Sequence, residues 1–437
     1  MTMIDFPVQR SSVANVMERL EQMSAGDLDW KSGRVFSLVY SAGDEVDGLA
    51  ERVYSRFSHE NALNVDAFPS LRAMQRDLIS ASASMLGSSQ AAPIAPWLSS
   101  GDGAQPVNGF LTSGGTESLL MAVLVARDFA ALRGIKEPTM ILPASAHAAF
   151  EKAAHYFGVQ SIRIPVDADW RVDVSATMDA IDANTSLVVG SAMSYPQGVI
   201  DPIEELGELC LRYEIPFHVD ACMGGFILPF LTDLGHVSKP FDFRVPGVTS
   251  ISADLHKYGY APKGISVILY RAKALRSLQP FVTTNWLGGI YGSPSMAGTR
   301  AAAPIAAAWA VMNHLGREGY QELAGRAWVA ARKAISGIGA IDTLKILGDP
   351  DATVFAFAAK DESESEIFRI GDQIAAKGWH LDRQSPPDSL HATVHAGHID
   401  SVSQLVTDIE YASRSIEHDE NPDSASTRQS TVYGTVE

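Results

Sequence analysis

Residues 248–264, VTSISADLHKYGYAPKG, join an apolar strand to a polar turn. The run Val248–Ala253 has the β-branched and small apolar residues of a buried strand, and Lys257 follows it in the turn. A lysine becomes an amine nucleophile when desolvation and neighbouring cations lower its pKa, and His256 and Lys263 are nearby candidates for those cations. The stretch therefore predicts a strand of an α/β sheet followed by a candidate catalytic lysine; an ordinary surface lysine is the alternative.

Outward from this strand, short apolar runs alternate with helical stretches from about residue 70, as in Ile203–Tyr213. Such runs predict a mostly parallel sheet that is covered on both faces, because its strands are apolar throughout instead of alternating with polar residues. The fold class is therefore α/β. The predicted strands are Thr139–Pro143, Ser161–Pro165, Ser186–Ala192, Pro216–Asp220, Val248–Ala253 and Ser266–Tyr270.

The two ends of the chain differ from this central part. Val13, Val16, Met17 and Leu20 recur at helical spacing and predict an amphipathic helix. Near the other end, Ala301–Met312 predicts a buried helix and Gly337–His398 a smaller unit of strands and helices. We expect an N-terminal segment (1–69), a large domain (70–291), a small C-terminal α/β domain (292–417) and a polar, mobile tail (418–437).

Composition limits the possible partners of the chain. It has 437 residues, 46% of them apolar, and a formal charge of −17, which disfavours general binding to nucleic acid. Two cysteines, Cys210 and Cys222, are too few for a disulfide framework, and we expect both to be small buried hydrophobes. The N-terminus does not have the pattern of a signal peptide, and the apolar windows are shorter than the ~18 residues of a membrane span. We expect no integral membrane segment and a cytoplasmic protein.

A glycine pair marks a candidate anion site in Leu111–Leu120, LTSGGTESLL. Ser113, Gly114 and Gly115 allow close approach to the backbone, and Thr116 can begin a helix that runs to about Arg133. Free N–H groups and the dipole at a helix start attract a phosphate. An ordinary helix cap is the alternative interpretation.

A carboxylate ends the strand in Pro216–Gly225, PFHVDACMGG. Asp220 stands at the carboxyl end of that strand, where the ligands of open α/β sheets bind. A buried carboxylate is costly without a cation, and a protonated pyridine nitrogen would be a suitable partner. The alternative is an aspartate that caps a turn.

Together these three features match the three groups of pyridoxal 5'-phosphate that a protein binds: a phosphate cup for the phosphate, a carboxylate for the ring nitrogen and a lysine for the aldehyde. Their order along the chain is that of fold type I enzymes. We therefore expect this cofactor.

Six segments resemble the sphingosine-1-phosphate lyase family, a branch of the group II decarboxylase-like enzymes, over residues 33–398. The segments are TSGGTES (112–118), SAHAAFEKAAHYFGV (145–159), GVIDPIEEL (198–206), HVDACMGGF (218–226), FDFRVPGVTSISADLHKYGYAPKG (241–264) and GGIYGSPSMAGTR (288–300).

The resemblance implies a role for each cofactor residue. Lys257 would hold the cofactor as a Schiff base, Asp220 would pair with the ring nitrogen, and His147 would stack on the ring. Residues 292–300 would reach into the site of a neighbouring subunit, so the working unit would be a homodimer. The implied cofactor-binding set is Ser113, Gly114, Gly115, Thr116, His147, Asp220, His256, Lys257 and Ser293.

The resemblance also implies the reaction. The family cleaves a phosphorylated long-chain amino alcohol to a fatty aldehyde and phosphoethanolamine. Asn64 stands where relatives carry the histidine of an N-P-L-H-P-D motif; an amide offers hydrogen bonds but no charge, and His59 is a candidate substitute for that charge. The implied substrate-binding residues are Tyr40, Asn61, Asn64, Lys263 and Tyr291.

Several other interpretations compete with this reading. An amino-acid decarboxylase on the same scaffold would share every cofactor residue, and an inactive relative could serve as a scaffold. Neither H-E-x-x-H nor G-x-S-x-G occurs in the sequence. We expect His391, His395 and His398 to face solvent instead of binding a metal.

Overall fold

The computed structural model describes residues 6–99, 106–360 and 365–417. Seven strands form its central sheet: β1 (Asn108–Thr112), β2 (Thr139–Pro143), β3 (Gln160–Ile164), β4 (Thr185–Ser191), β5 (Phe217–Asp220), β6 (Ser250–Ala253) and β7 (Ser266–Tyr270). Their order is β1-β7-β6-β5-β4-β2-β3, and within this sheet β7 is the one antiparallel strand. The predicted α/β class with a mostly parallel sheet is confirmed.

Helices cover both faces of this sheet. Alternate residues of the strands pack on opposite sides: Ile141 and Val188 join one core cluster, and Met140 and Leu187 join the other. This two-sided burial explains why the strands are apolar throughout. The helices up to residue 276 are α1 (Val13–Ser24), α2 (Asp44–Arg56), α3 (Pro69–Met85), α4 (Gly115–Leu132), α5 (Ala149–Phe157), α6 (Val174–Asp179), α7 (Ile203–Tyr213), α8 (Leu228–Asp233) and α9 (Lys273–Arg276).

A smaller antiparallel sheet lies in the C-terminal part. Its order is β10-β11-β13-β12, and a hairpin of β8 and β9 precedes it in the chain; the tail at 418–437 lies outside the described residues. The elements are β8 (Phe281–Thr283), β9 (Tyr291–Ser293), α10 (Ala303–Gly339), β10 (Leu344–Ile346), β11 (Val354–Ala359), α11 (Ser365–Ala375), β12 (Asp382–Gln384), β13 (Ser389–Thr393) and α12 (Val402–Glu417).

The structure differs from the sequence expectation in two elements. Strand β1 was not predicted as a strand, because its five residues include Asn108 and Gly109, which are weak strand formers. Close packing explains the glycine: a Cβ at Gly109 would stand 1.8 Å from the carbonyl oxygen of Ile268 on β7. The helix expected over Ala301–Met312 is buried, but it continues to Gly339 past a break at Gly316, which has φ 54°.

The expectation for the three C-terminal histidines is wrong. His391, His395 and His398 are 0%, 5% and 0% exposed, because the stretch that includes Val35 and Phe36 packs over this part of the chain. His391 Nε2 lies 2.9 Å from the Tyr195 carbonyl oxygen, and His398 Nε2 lies 2.9 Å from that of Val35. Burial lowers the pKa of His391 and of His398 to about 4. His395 and His398 therefore pack against the N-terminal stretch, whereas His391 packs against Tyr195, which follows β4.

Helix α1 and the two cysteines appear as the sequence predicts. The amphipathic helix forms, and none of its residues is buried in this chain. Cys210 and Cys222 are both free and buried, as predicted. Within the described ranges, every helix is too short or too polar to cross a membrane.

Candidate active site

The floor of the candidate site is formed where β5 and β6 end side by side. Asp220 pairs in register with Ser252 across these strands and is 7% exposed. Its Oδ1 accepts a hydrogen bond from the backbone N–H of Cys222 at 3.0 Å and lies 3.5 Å from the Ser252 hydroxyl. These bonds fix the direction of the carboxylate at the carboxyl end of the sheet, as the sequence predicted for a ligand site.

Lys257 lies in the turn after β6 and meets a carboxylate that the sequence reasoning did not select. Its Nζ is 2.9 Å from Asp254 Oδ2, and the Nε2 of His256 is 3.7 Å from the same oxygen. The Asp254 side chain is 1% exposed. Burial alone would raise the pKa of Asp254, but the Lys257 ammonium and, when it is protonated, the His256 ring lower it below its usual value. The one available signal was the charge of Asp254 directly after an apolar strand.

The glycine pair lies against this cluster at the start of α4. A Cβ at Gly115 would stand 2.7 Å from Asp254 Oδ2 and 2.9 Å from Cys222 Sγ, whereas one at Gly114 would stand 3.4 Å from His256 Cε1. Glycine is therefore needed at Gly115 for the helix start to approach the end of β6. Ser113 and Thr116 are solvent-exposed beside it, so a phosphate can reach this helix N-terminus.

Glu117 ties this loop to a distant segment, which the sequence reasoning also missed. Its Oε2 accepts a hydrogen bond from the Ser113 N–H at 2.6 Å, and its Oε1 accepts one from the Met296 N–H at 2.6 Å. The carboxylate is 8% exposed. Glu117 thus joins the candidate phosphate cup to residues 292–300, the segment expected to reach a neighbouring subunit.

His147 precedes α5 and lies near the charges of Asp220, Lys257 and Asp254. Its Nδ1 accepts a hydrogen bond from the Ala149 N–H at 3.0 Å, so the neutral ring carries its proton on Nε2. Burial lowers the pKa of His147, and the nearby Asp220 carboxylate partly opposes this effect. A neutral imidazole suits stacking on an aromatic ring.

Lys263 and Tyr40 form a cationic corner beside the turn. The Lys263 ammonium lies 4.9 Å from the centre of the Tyr40 ring and donates a hydrogen bond to the His256 carbonyl oxygen at 3.1 Å. Although Lys263 keeps a solvent-exposed surface, desolvation of its ammonium and then the Lys257 charge lower its pKa to about 8. This corner can bind an anion next to the candidate catalytic lysine.

The other predicted substrate residues lie on separate segments. Asn61 Oδ1 accepts hydrogen bonds from the N–H groups of Leu63, at 2.9 Å, and Arg300, at 3.3 Å. Asn64 is exposed, and its side chain accepts the Asp66 N–H at 3.0 Å. The described bonds of both residues are thus made within the 61–66 loop and to the 299–300 segment.

Tyr291 and Ser293 lie on β9, the second strand of the hairpin. Ser293 is 4% exposed and its hydroxyl donates to the Ala297 carbonyl oxygen at 3.0 Å, while Tyr291 packs edge-on against Trp286 at 6.2 Å between ring centres. Both residues are therefore held inside the hairpin and the segment that follows it.

A cavity of about 980 Å³ opens beside His147, between the segments that follow β2 and β4 and the small sheet. Its walls are mostly aliphatic and aromatic, with a polar stretch on β12. Lining residues include Ala146, Ile374, Ala375, Trp379 and Leu390, and the polar ones include Tyr195, Asp382 and Arg383. A pocket of this size can enclose a large organic ligand.

Comparisons with known proteins identify the family. Residues 4–360 match the pyridoxal-dependent decarboxylase conserved domain, whose cofactor is pyridoxal phosphate. The chain is 41% identical over 411 residues to a sphingosine-1-phosphate lyase from Arabidopsis thaliana, covering 93% of this chain and 73% of that protein. The site residues fit the cofactor, because Ser113 and Thr116 at the helix start are exposed to solvent. Asp220 ends β5, and Lys257 lies in the turn after the adjacent strand β6.

Solved structures agree with this assignment. A sphingosine-1-phosphate lyase from Burkholderia pseudomallei superposes with a TM-score of 0.88 at 38% identity, covering 95% of this chain and 93% of that one. Glutamate decarboxylase from Lactobacillus brevis, at 18% identity, a TM-score of 0.81 and coverage of 96% and 97%, shares the fold. The chain therefore belongs to the pyridoxal-dependent decarboxylase family and, within it, to the sphingosine-1-phosphate lyases.

Proposed function

We propose that this protein is a carbon–carbon lyase that cleaves a phosphorylated long-chain amino alcohol, of the sphingosine 1-phosphate type, to a fatty aldehyde and phosphoethanolamine. The observation that carries the proposal is the Lys263–Tyr40 corner beside Lys257. A phosphate dianion needs a local cation in a chain whose formal charge is −17. The sphingosine-1-phosphate lyases among its relatives favour this reaction over amino-acid decarboxylation.

Each site residue has a definite task in this reaction. Pyridoxal phosphate supplies an electron sink for the pair of electrons released by the broken bond. Lys257 would hold the aldehyde end of the cofactor, and Asp220, fixed by the Cys222 N–H, would face its ring nitrogen. His147 would cover the ring. Lys263 and Tyr40 would bind the substrate phosphate and so align the scissile bond.

The cofactor phosphate and the rest of the substrate head group would use the other predicted residues. We assign Ser113, Gly114, Gly115, Thr116 and His256 to the cofactor phosphate, because the start of α4 lies against the turn that holds His256. Asn61, Asn64, Tyr291 and Ser293 lie on the 61–66 loop and the 291–300 segment, which Glu117 holds beside the phosphate cup through Met296. We propose that they contribute where this segment meets a second subunit.

The cavity beside His147 is the proposed place for the hydrocarbon chain of the substrate. Its largely apolar wall suits a long alkyl chain, which gains about 0.8 kcal/mol for each CH₂ group removed from water. An amino-acid decarboxylase with a small substrate would not need such a volume.

We infer a homodimer from the surface of the β8–β9 hairpin. Its apolar side chains are far more exposed than is usual, because Leu287 is fully exposed, Ile290 is 79% exposed and Phe281 is 63% exposed. A contiguous exposed apolar surface commonly marks an interface. Met296, 53% exposed, follows in the segment that Glu117 holds beside the cup, so a second copy seated here would lie next to the cofactor site.

We assign residues 1–69 to an N-terminal segment, 70–291 to a cofactor domain and 292–417 to a small domain. The two free, buried cysteines suit a reducing compartment, so we place the protein in the cytoplasm.

The direct test supplies purified protein and pyridoxal phosphate with sphingosine 1-phosphate, with sphingosine, and separately with a panel of amino acids. Release of long-chain aldehyde and phosphoethanolamine from the phosphorylated base alone is expected, and Lys257→Ala should abolish both the yellow colour and the products. Carbon dioxide from an amino acid, with no aldehyde from the phosphorylated base, would establish the decarboxylase instead.

A further inference from the structure

Asp254 lies at the centre of the candidate site although none of the tasks above uses it. It follows β6 directly, and its carboxylate is almost fully enclosed beneath the helix start at Gly115. The Lys257 ammonium is 2.9 Å from its Oδ2. A buried carboxylate in such contact with a flexible lysine restricts the lysine to one direction, since leaving either charge without the other in this enclosed place is costly.

We propose that Asp254 is a positioning residue that acts as the counter-ion of Lys257 and orients its amine at the end of β6 for union with the cofactor. Asp220 has different partners from Asp254, because its Oδ1 accepts hydrogen bonds from the Cys222 N–H and the Ser252 hydroxyl. The two carboxylates at this edge of the sheet would therefore have different roles: Asp220 would face the cofactor ring, and Asp254 would face the lysine.

The charge on the Lys257 nitrogen supports a role for Asp254 both before and after the lysine is joined to the cofactor. The Lys257 ammonium and the cofactor aldehyde would combine to a protonated carbon–nitrogen double bond and one molecule of water. One positive charge would thus remain on the Lys257 nitrogen, with Asp254 as its counter-ion before and after the bond forms. An anion within about 4–6 Å raises the pKa of such a cation by roughly 1–3 units.

Other ionisable groups also act on this pair and set the background for a pH experiment. They are Asp220 at the end of β5, Cys222 after it, His147 before α5, and His256 and Lys263 in the turn itself. A variant that removes one charge leaves this background in place.

The test uses apoprotein and pyridoxal phosphate without any substrate, so it is independent of the proposed lyase reaction. The rate of formation of the visible band is measured against pH, as is the pH midpoint of the band in the loaded protein. Asp254→Asn and the smaller Asp254→Ser should both lower these midpoints by about 1–3 units and weaken cofactor binding. A purely structural role would lower stability without moving the midpoints.

Asp242 provides the matched control. It is also fully buried and forms an ion pair, with Arg244 at 2.8 Å, but it belongs to the region between α8 and β6. Asp242→Asn should leave both midpoints unchanged. Midpoints equal to wild type in folded Asp254→Asn or Asp254→Ser would overturn the proposal. Loss of folding in both, with Asp242→Asn folded, would assign Asp254 to the fold instead.

Discussion

The Lys263 ammonium lies over the ring of Tyr40, 4.9 Å from its centre, and so connects the turn after β6 with the N-terminal stretch. The same stretch is held by β13 and by the segment after it, where His398 stacks on Phe36 at 3.8 Å between ring centres. The corner proposed to bind the substrate phosphate therefore depends on residues from three distant parts of the chain, and its proposed role can be tested at Lys263 itself.

Lys263→Ala should reduce kcat/KM for sphingosine 1-phosphate roughly 10- to 100-fold, because a phosphate loses its cation in a partly exposed site. Steady-state kinetics with the phosphorylated base and with an unphosphorylated amino alcohol would measure the difference. Lys263→Arg, which keeps the charge, is the control. Equal losses for both substrates would mean that Lys263 serves the cofactor or the fold.

The same lysine predicts a pH dependence. Its pKa is lowered to about 8, so the ammonium is charged below that pH and loses its proton as the pH rises through it. The kcat/KM for the phosphorylated base should therefore fall as the pH increases beyond about 8. In Lys263→Arg the fall should move to higher pH, since arginine stays protonated. Identical profiles for wild type and variant would show that another group is responsible.

Asp220→Asn should bind pyridoxal phosphate but turn over far more slowly. Without the carboxylate, the protonated form of the ring nitrogen is no longer stabilised when negative charge builds up on the cofactor. We expect the transition state to lose roughly 3–4 kcal/mol of stabilisation. Single-turnover kinetics together with the visible spectrum would separate binding from chemistry. A normal rate would assign the ring nitrogen to a different partner.

Ala375→Trp should narrow the cavity that Ala375 lines at the end of α11. We expect a higher KM for an 18-carbon phosphorylated base and little change for a short-chain analogue. Ala376→Trp, at the next exposed position, is the matched control because Ala376 is not among the residues that line the cavity. A similar effect on both chain lengths would place the hydrocarbon elsewhere.

Mixing two inactive variants tests the shared site. Lys257→Ala lacks the amine, and a variant altered in residues 293–300 lacks the segment assigned to the neighbouring site. Subunit exchange should restore part of the activity, since a mixed dimer contains one complete site. Exchange verified by mass spectrometry without any recovery would argue for sites complete within one chain.

Much of the site could be predicted because its parts are local. Apolar runs such as Thr139–Pro143 and Ser266–Tyr270 appear as strands with the predicted bounds, since β-branched runs between turns favour strands whatever surrounds them. Lys257 and Asp220 follow such runs, and a polar residue there reaches the sheet edge where ligands bind. The glycine pair likewise indicates a helix start from its own composition.

What the sequence determined by itself was therefore the strands, the helix start and the polar residues that follow them, because each depends on neighbours a few positions away. Tertiary structure alone decided the burial of His395 and His398, the cavity beside His147 and the pairing of Asp254 with Lys257. Burial depends on segments far apart in the chain, such as Val35 and His398. The charge state of a buried group depends in turn on which partners that packing brings within a few ångströms of it.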